Sequence, residues 1–328
     1  MGRAYAENLA WHMKDVTLIA ACSLSSEERQ YATDTLKIAS VFEDYRQMLD
    51  TPGLEAVFVV SSTDMHADHI IWALEKGLHV FSEKPLAISM EACHRVLSVA
   101  KQHPNLKTAV GFVRRYDASY MYAKQKIEEG LIGRPYLIKS QTVDMDTVTD
   151  FQITYVNKSG GIFHDYNVHD IDLTRWLMSS EFEEVHAMGG AYKYERYAEL
   201  GDADNVMTSC RLENGSMAVI IASRTAMHGH DTYTEVVGTT GSLRIGRPAD
   251  KNRVEIYDQH GSRKEWVETF MERFEDAFLT MSKDFIHCIL EDKQPQCTIE
   301  DATKATEAAI AFTKSYKESS VVNLKDLQ

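Results

Sequence analysis

Residues 56–60 read Ala56-Val57-Phe58-Val59-Val60, and residues 78–86 read Leu78-His79-Val80-Phe81-Ser82-Glu83-Lys84-Pro85-Leu86. Each holds a short apolar run of the kind that forms a strand buried on both faces of a parallel sheet. A helix is predicted between them, over 65–76, which makes the stretch a strand–helix–strand unit. The same alternation continues on either side. Strands are expected at 17–22, 40–42 and 107–112, and helices at 1–13, 27–35, 45–49 and 89–102. Strands alternating with helices give a doubly wound α/β fold with a parallel sheet.

After about Asp117 the rhythm changes. A helix at 118–130 leads to a strand at 136–144, and a further helix follows the double glycine Gly160-Gly161. Extended runs come next at 184–194, 204–212, 216–225, 231–238, 242–246 and 253–258. Asn214-Gly215 and Thr240-Gly241 mark turns between them. Strands with no helices between them imply a large, open-faced, mainly antiparallel sheet. Helices at 267–291 and 299–317 close the chain and are expected to pack back on the first domain. The division is therefore 1–117, an α/β domain, and 118–328, an α+β domain. An open sheet face needs covering, which predicts a homodimer or homotetramer.

The chain has 328 residues, enough for two sizeable cores. Its net charge of −14 argues against sequence-independent binding to nucleic acid or to anionic membranes, which call for a basic surface. No apolar stretch approaches the ~18 residues of a membrane span, and no signal peptide opens the chain. The five cysteines are scattered, odd in number and without metal-ligand spacing. They read as small buried hydrophobes in a reducing cytoplasm. His228 and His230 form a close pair with no second ligand cluster, so no metal site is expected.

Two stretches carry chemistry. Lys84 stands at the carboxyl end of its strand, where open α/β sheets bind ligands, and Pro85 raises the chance of a cis bond there. The second stretch is residues 159–177, Ser-Gly-Gly-Ile-Phe-His-Asp-Tyr-Asn-Val-His-Asp-Ile-Asp-Leu-Thr-Arg-Trp-Leu. On an α-helix Asp165 and His169 would share one face. A carboxylate beside an imidazole can orient it and keep its pKa near working pH, which suits a general base for alcohol oxidation. Taken alone, the pair also fits a solvated helix face.

Glu83-Lys84-Pro85 after such a strand, followed far downstream by Gly160-Gly161-x-x-x-Asp165-x-x-x-His169-Asp170-x-Asp172, resembles the Gfo/Idh/MocA oxidoreductase family. The resemblance runs from Gly2 to about Leu324. Within it, Gly111-Phe112-Val113-Arg114-Arg115-Tyr116-Asp117 is similar to a segment of inositol dehydrogenases. It implies dinucleotide binding for the first domain, a Rossmann domain that takes a nicotinamide cofactor, and substrate binding and oligomerisation for the second. It also implies oxidation of a secondary alcohol on a cyclic polyol, with an inositol as the expected substrate. His169 is then the expected base, Asp165 its orienting partner, and Lys84 the group that bonds the reacting oxygen. Ser61, Thr63 and His66 would border the nicotinamide half of the cofactor, with Glu83 and Lys84 across from them. Arg114, Tyr116, Asp117 and Asp172 are candidates for binding substrate hydroxyls.

Pyrophosphate binding in such a domain uses the turn Gly-x-Gly-x-x-Gly after the first strand. This chain opens Met1-Gly2-Arg3-Ala4-Tyr5-Ala6-Glu7-Asn8-Leu9, which is similar to that motif joined at its last glycine. Gly2 is read as the third glycine and the first strand as absent, so this chain is expected to bind NAD poorly. At the end of the next strand, where an acid would bind ribose, stands Ser23. Serine there suits a ribose hydroxyl or a 2′-phosphate. NAD is expected over NADP because no cation directly follows it. Rival readings are another sugar dehydrogenase or oxidoreductase of the family, a non-catalytic sensor of NAD(P), and an inactive truncated copy.

Overall fold

The computed structural model describes residues 1–246 and 250–327, in two compact units. The first comprises Met1–Val113 with Asp276–Thr303, and the second Arg114–Glu275 with Lys304–Gln328.

In the first unit the order is α1 (Gly2–His12), β1 (Ala20–Cys22), α2 (Ser26–Asp34), β2 (Ser40–Phe42) and α3 (Tyr45–Leu49). Then come β3 (Ala56–Val59), α4 (His66–Glu75), β4 (His79–Ser82), α5 (Met90–Gln102) and β5 (Thr108–Val110). All its strand pairs are parallel, as the alternation predicts. They lie in two sheets, β1-β2 and β3-β4-β5. A doubly wound sheet joins such sets through a shared central strand, and none of the described residues supplies one. The unit's core is aromatic. Phe58 and Phe81 stack with ring centroids 4.8 Å apart, Tyr5 lies 5.2 Å from Phe81, and Phe285 meets Phe58 edge-on at 5.5 Å.

The second unit holds α6 (Ala118–Glu128), β6 (Pro135–Met145), α7 (Asp150–Ser159), a π turn (Phe163–Asn167), α8 (Val168–Met178), β7 (Phe182–Gly190) and α9 (Arg196–Glu199). It continues with β8 (Asn205–Leu212), β9 (Met217–Ala226), β10 (Asp231–Gly238), β11 (Ser242–Ile245), β12 (Ile256–Asp258) and β13 (Gly261–Arg263). Helix α10 (Phe270–Leu290) begins here. Phe274, with φ of −117° and ψ of 17°, interrupts the helix, which continues in the first unit from Asp276. Helix α11 (Ile299–Glu318) enters from the first unit, and β14 (Val322–Asn323) follows.

The seven-stranded sheet runs β11-β10-β6-β9-β8-β7-β14. Its pairs are antiparallel except β6–β9, so the sheet is mixed. Asn214-Gly215 does turn β8 into β9, with Gly215 at φ +79°. Strand β8 alternates strictly. In β8, Val206, Thr208, Cys210 and Leu212 are buried, while Met207, Ser209 and Arg211 are exposed. The sheet's inner face packs on α8 and α11 around Phe163, Phe182 and Phe312, with rings 5.6 and 6.0 Å apart. Two short helices, α7 and α9, were not expected. A cue for α7 was present in Thr149 and Gln152, which form a reciprocal capping box, and Gly160 ends the helix at φ +81°.

Candidate active site

Strand β4 delivers Ser82, Glu83 and Lys84 to its carboxyl end, and the Lys84–Pro85 peptide is cis. Glu83 is buried. Its carboxylate accepts from the Tyr5 hydroxyl on α1 and, 3.0 Å away, from the backbone N–H of Lys84. Gly111 packs against this carboxylate, and a Cβ there would lie 3.3 Å from Glu83 Oε1. The lysine is thus half-buried on a fixed backbone.

The loop after β3 places Ser61 at the surface and buries Thr63. His66 is also buried, with Nδ1 2.8 Å from the carbonyl of Pro85 and Nε2 3.1 Å from that of Ser61. Burial holds its pKa below the ordinary value. The ring of His66 therefore lies between the two strand-end loops and, when neutral, donates to one of the two carbonyls. Gly2 opens α1 with no atom near the place a Cβ would take. Ser23, after β1, donates to Glu28 Oε2 at 2.5 Å and accepts from the N–H of Ser25 at 3.0 Å. Glu28, which the sequence reading passed over, thereby brings a carboxylate to that strand end. The hydroxyls at Ser61 and Thr63 and the cation of Lys84 suit the ribose and carboxamide of a nicotinamide nucleotide. Among the described residues no Gly-x-Gly-x-x-Gly turn accompanies them.

In the second unit the double glycine closes α7 and starts the second chemical stretch. Gly161 sits at φ +84° with the Asp202 carboxylate close by, and a Cβ there would approach Asp202 Oδ1 to 2.9 Å. The segment is helical but not α-helical throughout. Phe163–Asn167 forms a π turn, one residue wider per hydrogen-bonded ring, before α8 takes over. Asp165 lies in the π turn and His169 near the start of α8, four residues on. From Ile162 to Leu173 only Asp165, Tyr166 and His169 escape burial. All other side chains there pack inward, including Asp170 and Asp172. The turn thus presents one small polar face of a carboxylate, a phenol and an imidazole.

Tyr166 bonds Asp144 at the end of β6. Burial first, then the Asp144 and Asp165 carboxylates, hold its phenol well above the usual value. It stays protonated and is a donor. Asp144 in turn lies 2.5 Å from His230 Nδ1, and the Thr232 hydroxyl meets His230 Nε2. His164, in the same turn, points inward and burial lowers its pKa to about 4. Its Nε2 and both amide atoms of Asn167 are buried with no hydrogen-bond partner among the described residues.

Arg114, expected at substrate hydroxyls, is instead buried. It donates to Asp170 Oδ1 at 2.9 Å and to the Thr142 hydroxyl at 2.6 Å. Asp172, expected there too, is buried beneath Arg115, which grips both its oxygens at 2.8 and 2.6 Å. The physical reason is pairing. Two adjacent arginines find two aspartates on one helix, and a buried pair loses about 3–5 kcal/mol when one partner is removed. Asp117 caps α6 through the N–H groups of Ser119 and Tyr120, and pairs with Arg273 at 2.8 Å. Tyr116 is buried beside it. All four candidates are buried, three of them in ion pairs. Lys84 belongs to the first unit, whereas Asp165 and His169 belong to the second.

Residues 1–112 match the oxidoreductase family with an NAD-binding Rossmann fold, and residues 120–244 match the GFO/IDH/MocA C-terminal domain. The chain belongs to the Gfo/Idh/MocA oxidoreductase family. It is 32% identical over 324 residues to the scyllo-inositol 2-dehydrogenase (NAD(+)) of Bacillus subtilis, covering 99% of this chain and 93% of that one. It is 30% identical over 328 residues to the myo-inositol 2-dehydrogenase of Thermotoga maritima, covering 100% and 96%. Scyllo-inositol dehydrogenase from Lactobacillus casei, solved with bound NAD(H) and scyllo-inositol, superposes with a TM-score of 0.95 at 35% identity. That match covers 99% of this chain and 96% of the other.

Proposed function

We propose that this protein is an NAD-dependent inositol dehydrogenase that oxidises a ring hydroxyl to the ketone. The observation that carries the reading is the restricted exposure of residues 162–173, which offers only Asp165, Tyr166 and His169 to a ligand. The similarity to inositol dehydrogenases along nearly the whole chain supports it. His169 takes the hydroxyl proton as general base. Asp165 orients the imidazole and stabilises it when charged. Lys84 bonds the reacting oxygen and offsets the negative charge that develops there. Ser61, Thr63 and Glu83 hold the nicotinamide half, while Ser23 and Glu28 face the adenosine ribose. NAD, when bound, supplies the hydride acceptor. Initial rates on scyllo-inositol, myo-inositol, glucose and xylose, each with NAD and NADP, test the assignment.

Among the described residues no helix is long and apolar enough to cross a membrane. We infer further that the protein is a homo-oligomer of the reducing cytoplasm. Met188, Met207 and Ile221 form one row across the open sheet face, and no disulfide joins the cysteines among the described residues. A second copy covering that face would remove the row from water. Light scattering should therefore give a mass at least twice that of the chain, and cell fractionation should find the protein in the cytoplasm. A monomer at micromolar concentration, or export from the cell, would count against this.

A further inference from the structure

The π turn Phe163–Asn167 carries Asp165 and leads into α8, which carries His169. Arg224, on β9, reaches this turn from outside it. It is buried, and its Nη1 donates to Asp202 Oδ2 and to the carbonyl of Ala203, both at 2.8 Å. The other oxygen of Asp202 accepts the backbone N–H of Ile162 at 3.0 Å, at the entrance of the turn. The guanidinium also lies between two rings, 5.2 Å from the centroid of Tyr166 and 4.4 Å from that of Tyr197. One cation therefore reaches the turn twice, through the Asp202 carboxylate at its start and through Tyr166 in its middle. Gly161 completes the arrangement, because any larger residue would collide with the same carboxylate.

We propose that Arg224 is a positioning residue for the reaction, clamping the π turn through Asp202 and Tyr166 so that Asp165 and His169 face the substrate. The proposal rests on the reading of His169 as the base. Lysine cannot replace it, since a point charge provides neither the forked donors nor the flat stacking surface. Arg224→Lys should lower kcat by ~10–100-fold, the scale of a small misplacement at the reacting centre. The KM for inositol should stay within about threefold, because a positioning residue acts on the chemical step more than on binding. Asp202→Asn keeps an oxygen for the Ile162 N–H and should lose less than Asp202→Ala.

Amide hydrogen exchange supplies the readout that does not depend on turnover. In Arg224→Lys, exchange should quicken in residues 160–170 while the rest of the second unit stays protected. Unchanged exchange there, or loosening spread through the unit, would overturn the clamp. So would a normal kcat in Arg224→Lys. If the wild-type protein failed to oxidise any inositol, the functional reading would fall, and exchange alone would still decide whether Arg224 holds the turn.

Discussion

Replacing His169 by alanine should cut turnover on inositol by ~10²–10⁴-fold, the range for loss of a positioned general base. The imidazole is half-exposed on α8 directly after the π turn, and neighbouring side chains of that helix, Asp170 and Asp172, are committed to buried ion pairs. Alanine should therefore remove the base while leaving those ion pairs intact. Cofactor affinity should hold, because the groups assigned to the nicotinamide half lie in the first unit. Single-turnover rates with NADH titration alongside make the check. Near-normal turnover in His169→Ala would show that another group takes the proton.

Lys84→Met should also suppress turnover, by a similar factor, through loss of the cation at the reacting oxygen. Methionine preserves much of the stem, and the backbone contact from the Lys84 N–H to Glu83 does not involve the side chain. The more telling quantity is the double variant. If lysine and histidine serve one transition state, the losses should not multiply, and the double variant should be little worse than the poorer single one. Independent, multiplicative losses would mean that the two act in separate steps, or that Lys84 only binds substrate.

The parts of this protein that follow a period were legible in the sequence. Apolar runs such as 56–60 marked buried strands, and Asn214-Gly215 marked a hairpin, because each depends on a few adjacent residues. Lys84, Asp165 and His169 stood out as residue types at strand and helix positions. What escaped depends on partners distant in the chain. Arg114 reads as a substrate-binding group because Asp170 and Asp172, which pair with Arg114 and Arg115, lie 56 and 57 residues on. Arg224 and Asp202 lie on separate elements, and nothing local distinguishes either from a solvated charge. The π turn has the same composition as an α-helix. It differs by one residue in its ring, which residue types alone do not record. The separation of β1-β2 from β3-β4-β5 likewise shows only when ladders are traced.

The most direct measurement of the central claim is the initial rate of NADH formation across a set of polyols and sugars at saturating NAD. Oxidation of scyllo- or myo-inositol should exceed that of glucose and xylose by at least ~10-fold in kcat/KM, a margin set by hydroxyls left unpaired in the wrong ligand. NAD should be used in preference to NADP. Turnover of glucose or xylose with none of either inositol would contradict the account and make this a sugar dehydrogenase of the same family.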